Sequence, residues 1–316
     1  MMDWTDRHCR AFHRVLSREV LLYTEMVTSA ALVRGGAMRL LDFDAAEHPV
    51  ALQLGGSEPF ELAEATAMGC ERGYGEVNLN IGCPSDRVQS GCFGAVLMER
   101  PALVVDCLAA MRGAAGTVPV TVKCRIGVDD QDPAIVLPDF VARIRDAGVT
   151  RVTIHARKAW LQGLSPKQNR EVPPLDYPLV HAVKERFPDM HLTVNGGLAT
   201  LDDVAAQLDR MDGAMVGRAA YHDPAAILLR ADSRIFGRPD PCPDRVQAAL
   251  RMVPHIEAHL EAGGRVGQVT RHMLGLFAGL PGARGWRRCL SEGASRPGAD
   301  ATVLHEALGH VTGMAA

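Results

Sequence analysis

The chain has 316 residues, of which 47% are hydrophobic and 22% charged, and its net charge is −3. That is a globular composition with room for one large domain and a smaller one, and no apolar run approaches the ~20 residues of a membrane span. Met1-Met2-Asp3-Trp4 lacks the basic and apolar regions of a secretory signal. None of the eight cysteines forms a CxxC pair, which argues against zinc-ribbon and thioredoxin chemistry, leaves no metal site to expect, and fits a reducing cytoplasm.

The first element in the chain reads as a helix, Arg7 to Ser17. Short β-branched runs then alternate with longer amphipathic stretches. Strands are expected at Leu22 to Val27, Val50 to Leu54, Glu76 to Ile81, Val118 to Arg125, Arg151 to Ala156, His191 to Val194 and Gly213 to Val216. Helices are expected between them at Pro59 to Arg72, Pro101 to Arg112, Asp139 to Ala147, Leu179 to Phe187 and Leu201 to Leu208. Repeated strand-then-helix units predict a parallel sheet with right-handed crossovers. Such a barrel has eight strands, so the fold expected is a (β/α)8 TIM barrel whose first strand is truncated and would lie before Met1. An open seven-stranded sheet is the alternative. Gly237 to Pro243 reads as a proline-rich linker closing a barrel domain of 1–236. Residues 244–316 carry only helical patterns, at Asp244 to Glu261, Val266 to Leu276, Trp286 to Leu290 and Ala301 to Val311, and read as an appended helical domain.

Barrel enzymes place their chemistry at the C-terminal strand ends. Here those ends carry Met26, Gln53, Asn80 with Cys83, Lys123 with Arg125, His155 with Arg157, Asn195-Gly196-Gly197 and Gly217-Arg218. Gly82 and Pro84 break the chain on either side of Cys83, which presents one thiol from the tip of a rigid element. Gly196-Gly197 leading through Leu198-Ala199-Thr200 into a helix, and Gly217-Arg218 one strand later, suit a phosphate dianion. Lys123 and Arg125 alternate along one strand and His155 and Arg157 along the next, so each pair faces the interior, where an electron-rich cofactor ring would use them. Gln53 can hydrogen-bond a heteroaromatic edge. Cys124 should point outward into the helix layer, and Cys70 and Cys107 read as packing residues.

Two windows lack acids. Ala147 to Arg170 carries Arg151, Arg157, Lys158, Lys167 and Arg170 with Trp160; Ala262 to Ser291 carries Arg265, Arg271, Arg284, Arg287 and Arg288 with His272 and Trp286. Arginine and aromatic residues together suit phosphate contacts and base stacking.

The run from Asn78 to Ala95 resembles the tRNA-dihydrouridine synthases, the A-type branch in particular. So do Asp3-Trp4-Thr5-Asp6, Tyr23-Thr24-Glu25-Met26, Gln53-Leu54-Gly55-Gly56, Val122-Lys123-Cys124-Arg125, His155-Ala156-Arg157-Lys158, Val194-Asn195-Gly196-Gly197 and Val216-Gly217-Arg218. The resemblance runs from Met1 to about Leu290. It implies FMN as cofactor, NADPH as reductant and reduction of a D-loop uridine around position 20 of tRNA, a base that must leave its stack to react. Carried over, Met1, Met2, Gln53, Lys123, His155, Asn195, Gly196, Gly197, Gly217 and Arg218 would hold the flavin. Asn80, Lys167, Arg170, Arg284 and Arg287 would contact tRNA. Hydride would pass to C6 of the uracil and Cys83 would protonate C5. The protein is expected to act as a monomer. The alternatives are a small-molecule flavin oxidoreductase of the dihydroorotate type and a tRNA-binding protein without catalysis.

Overall fold

A computed structural model describes residues 1–85 and 91–312. Asp86 to Ser90 of the 78–95 motif, and Gly313 to Ala316 of the expected helical domain, lie outside the described residues. Seven parallel strands form one curled sheet in chain order: β1 (Leu22–Thr28), β2 (Val50–Gly55), β3 (Glu76–Ile81), β4 (Val120–Arg125), β5 (Arg151–His155), β6 (His191–Asn195) and β7 (Gly213–Met215). The outer strands β1 and β7 share no ladder. The eighth strand expected ahead of Met1 concerns residues outside this chain.

Each inner strand has an apolar face and a polar face. Leu52 and Leu54 of β2, Val77, Leu79 and Ile81 of β3, Val122 and Cys124 of β4, and Val152 and Ile154 of β5 are fully buried in one core with the flanking helices. Cys107 joins that core and Cys70 packs against it. The alternate residues, among them Gln53, Glu76, Asn78, Asn80, Thr121, Lys123, Arg125 and His155, point into the barrel. Covered on both faces, β2 and β3 are buried along their whole length, as parallel strands must be.

A second core holds the helical part. It joins Met252, Ile256, Met273, Trp286, Leu290 and Leu304 to Phe12 and Leu16 of the first helix (Arg7–Leu16) and to Ala220, Ile227 and Leu228. This core is therefore wider than the segment 244–316, because the first helix buries its apolar face against it. Asp6 caps that helix, accepting from the amides of His8 and Cys9, and pairs with Arg271 and His272 of the helical part.

Several helices differ from expectation, the one expected at Trp286 to Leu290 spanning Ala283–Gly293. The helix expected from Asp139 starts at Pro133, where Asp132 caps it and proline suits the first position, and it runs through Pro138. The stretch Asp244 to Glu261 is two helices, Arg245–Leu250 and Val253–Glu261, the second opening on Pro254. The helix expected over Val266 to Leu276 ends at Thr270. Beyond it Gly275 is pressed on the carbonyl of His222, where a Cβ would lie 2.2 Å from the oxygen.

Candidate active site

Cys83 sits just past the end of β3 on a turn built by Asn80. The side-chain oxygen of Asn80 accepts from the amides of Gly82 and Cys83, each at 3.0 Å, and its Nδ2 donates to Gln53 Oε1 at 2.8 Å. Asn80 thus shapes the turn that presents the thiol and has one amide hydrogen without a partner among the described residues. Cys83 is half-buried, and its Sγ lies 3.6 Å from Ser85 Oγ. Cys124 is fully buried in the helix layer, as its register on β4 requires.

Around this turn the strand ends supply polar groups with spare capacity. His155 is 8% exposed and its Nδ1 is buried without a partner among the described residues. Burial, reinforced by Arg125 and Lys123, holds its pKa well below the ordinary value, so the ring is neutral. Lys123 makes no hydrogen bond among the described residues, and burial, with Arg125 nearby, pulls its pKa to about 8. Gln53 Nε2 donates to Asn78 Oδ1 at 3.0 Å, which leaves its second amide hydrogen available. Asn195 Nδ2 is committed to the carbonyl of Met215 at 2.7 Å, joining β6 to β7.

The two glycine turns differ in how far the chain after them is already capped. Gly196 and Gly197 have φ of 109° and 74°, a region side chains rarely adopt. A Cβ on Gly196 would meet His155 at 3.2 Å, and one on Gly197 would meet Tyr177 Oη at 2.8 Å. The helix that follows, Leu201–Leu208, is closed to an anion. Thr200 and Asp203 form a capping box in which Asp203 accepts from the amides of Ala199 and Thr200, and Asp202 adds a second negative charge to the first turn. Gly217, by contrast, precedes Arg218–His222 with no side-chain cap, and Met1 Sδ lies 3.7 Å from where its Cβ would be. Arg218 NH1 pairs with Glu171 at 2.6 Å and NH2 meets the carbonyl of Arg170 at 3.3 Å, tying this turn to the loop after β5. Met2 is exposed.

Arg125 and Arg157 commit their guanidinium groups to backbone carbonyls. Arg125, 4% exposed, donates to the carbonyls of Gly82 at 3.1 Å, Lys158 at 3.0 Å and Asn169 at 2.8 Å. It clamps the Cys83 turn to the β5 loop. Arg157 donates to the carbonyls of Pro173 and Glu171. Sequence reasoning missed Asn169, which is fully buried and holds the same loop through the Trp160 amide and the carbonyls of Trp160 and Leu164. Its partners are backbone groups, so no local pattern marks it.

The two basic windows separate into exposed cations and buried aromatics. Lys167 and Arg170 are exposed on the anchored β5 loop, and Trp160 is 37% exposed with Lys158 Nζ 5.2 Å above its ring. On helix Ala283–Gly293, Arg284, Arg287 and Arg288 are exposed at helix-neighbour spacing and have no ion pair among the described residues. Trp286 and His272, expected to stack on bases, are not available. Trp286 is fully buried, donates to the carbonyl of Met273 at 3.1 Å and packs edge-on to Phe277, while His272 is 1% exposed beside Asp6. No cluster of metal ligands occurs among the described residues, and no helix there is long and apolar enough to cross a membrane. A cleft of about 520 Å³ between Arg14, Glu47 and Met252 lies at the end from which β2 starts and holds none of the strand-end residues.

The dihydrouridine synthase (Dus) family model matches residues 1–311. The chain belongs to the dihydrouridine synthase family. It is 53% identical over 312 residues to the tRNA-dihydrouridine(20/20a) synthase of Vibrio cholerae, covering 98% of this chain and 94% of that one. Against the protein of the same name from Escherichia coli K12 it is 54% identical over 309 residues, with 98% and 89% covered. Among solved structures, morphinone reductase superposes with a TM-score of 0.52 at 12% identity over 78% of this chain and 84% of that one, a likeness of fold. A flavin fits the donors of this dihydrouridine synthase. The orphaned His155 Nδ1, the unpaired Lys123 ammonium and the glycine turns beside them are what a polar ring with a phosphate tail would engage.

Proposed function

We propose that this chain is an FMN-dependent, NADPH-consuming tRNA-dihydrouridine synthase that reduces uridine at the D-loop positions named for its relatives, 20 and 20a. The observation that carries this reading is the half-buried Cys83 on a turn shaped by Asn80, beside Lys123 and His155 with ligand-binding capacity to spare. Gln53, Lys123 and His155 would hold the flavin ring, Asn195 supports the turn beneath it, Gly196, Gly197, Gly217 and Arg218 would take the phosphate, and Met1 and Met2 would line the near side. FMN, when bound and reduced, would supply a hydride for C6 of uracil; Cys83 would give its proton to C5, and Asn80 would sit beside the flipped base. Lys167 and Arg170 on the β5 loop, and Arg284 and Arg287 on the helical part, would grip tRNA phosphates. The barrel, residues 1–236, would do the chemistry and residues 244–316 would hold the tRNA. Eight free cysteines and a tRNA substrate suit the reducing cytoplasm, with the chain acting as a monomer.

The test is turnover on tRNA lacking dihydrouridine, with FMN and NADPH, read by mass spectrometry as a D-loop uridine gaining two hydrogens. Cys83→Ala should keep its flavin absorbance and yield no product. Full activity in that variant would remove Cys83 from the mechanism, and reduction of a free pyrimidine but not of tRNA would replace the substrate. The exposed arginine face of Ala283–Gly293 has no use in the small-molecule alternative.

A further inference from the structure

The inward-facing residues of β3 belong to a hydrogen-bonded chain that runs through the barrel interior. At its far end Glu76 Oε1 accepts from Tyr23 Oη and from Thr121 Oγ1, both at 2.7 Å, and Oε2 meets Arg151 at 2.9 Å. Thr121 Oγ1 accepts from Asn78 Nδ2 at 2.8 Å, and Asn78 Oδ1 accepts from Gln53 Nε2 at 3.0 Å. Gln53 Oε1 accepts from Asn80 Nδ2 at 2.8 Å, and Asn80 Oδ1 receives the amides of Gly82 and Cys83. Glu76, Asn78, Gln53, Asn80 and Thr121 are each no more than 9% exposed.

The direction of every bond in this chain follows from its far end. An ionised carboxylate has no proton to give. Thr121 has one proton and gives it to Glu76, so toward Asn78 it can only accept. Asn78 must therefore present its NH2 to Thr121 and its carbonyl to Gln53. Gln53 in turn presents its NH2 to Asn78 and its carbonyl to Asn80. Asn80 is left with its carbonyl facing the turn. Amide side chains are nearly symmetric in shape and can point either way. Reversing any one of them here would set two donors or two acceptors face to face in a dry interior, at the cost of a buried unpaired group.

We propose that Glu76, Thr121 and Asn78 are positioning residues for the Cys83 turn, the carboxylate at the start of β3 determining which end of the Asn80 amide meets the backbone of Gly82 and Cys83. The same polarity points the Gln53 NH2 at Asn78 and its carbonyl at Asn80, with the second amide hydrogen uncommitted among the described residues. The catalytic consequence rests on Cys83 being the acid; the structural one does not.

Thr121→Val keeps the shape of the side chain and cuts the chain between Glu76 and Asn78. In the cofactor-free protein, alkylation of Cys83 by iodoacetamide, followed by peptide mass spectrometry, should become roughly fivefold faster, the factor one net hydrogen bond is worth. In the FMN-loaded enzyme kcat should fall by about the same factor while KM for tRNA holds, and Thr121→Ser should restore both. Asn80→Ala should speed alkylation at least as much, and the double variant should be no faster than Asn80→Ala alone, since both act through one chain. Thr121→Ala serves if the branched side chain packs badly. A Thr121→Val protein that melts like the parent and alkylates at the parent rate would overturn the proposal, as would additive effects in the double variant. Faster alkylation with unchanged kcat would support the positioning and refute Cys83 as the acid.

Discussion

Replacing Arg125 with methionine tests whether the clamp between the Cys83 turn and the β5 loop is structural. The side chain is 4% exposed and, although burial pulls its pKa to about 10, it stays cationic at neutral pH. It makes three hydrogen bonds to carbonyls, at 3.1, 3.0 and 2.8 Å. Bonds from a charged donor contribute about 1.5–3 kcal/mol each, and they are not additive when one side chain makes them all. A total near 4 kcal/mol is the reasonable sum, a large part of the ~5–15 kcal/mol that holds a domain folded. Arg125→Met should therefore lower the unfolding free energy of the cofactor-free protein by that amount in urea titration, moving the midpoint down at constant m. Hydrogen exchange should quicken at Gly82, Cys83 and the segment 158–170, and tRNA turnover should fall with it. Arg125→Lys, which can reach few of the carbonyls, should recover little. A stability loss under ~1 kcal/mol would mean that water replaces the guanidinium without loss and that the loops hold themselves.

Trp286→Ala should cost ~3–5 kcal/mol in urea titration, as the loss of a fully buried aromatic does, whereas an exposed stacking residue would cost almost nothing. Lys123 should destabilise the cofactor-free protein. Its pKa is about 8 in the fold and 10.5 ordinarily, so the penalty is complete below pH 8 and fades as pH rises toward 10.5. Lys123→Met should be the more stable protein at neutral pH, with the gap closing across that window; a parent that is the more stable at neutral pH would refute this.

The strands were legible because each carries two signals at once. β4 alternates Val120, Val122 and Cys124 with Thr121, Lys123 and Arg125, and the first set packs while the second reacts or bonds. The same alternation shows which side chains face inward but not whether they stay free there. Arg125 and His155 occupy equivalent places on neighbouring strands, and only tertiary contacts separate the clamp from the ligand site. The Thr200-x-x-Asp203 spacing was readable as a capping box and would have closed that helix to phosphate in advance. Trp286 is flanked by exposed arginines, so composition alone does not mark it as core. Its spacing to Ala283 and Leu290 is that of a buried helix stripe.

Polar groups left unpaired mark where something else must come. Among the described residues they include, in the barrel, the buried His155 and the half-buried Lys123, and on the helical part the exposed Arg284 and Arg287. The two sets should answer differently to salt. Each phosphate held by an exposed arginine releases counterions, so log K for tRNA falls with log salt by about 0.9 per contact on duplex RNA-like charge spacing. Arg284→Ala with Arg287→Ala should thus lower the slope by about 2, measured by filter binding across a salt series, and weaken tRNA while sparing flavin absorbance. The flavin, held mainly by buried donors, should stay bound through the same series. An unchanged slope in the double variant would move the tRNA off this helix and leave Lys167 and Arg170 as the site of the grip.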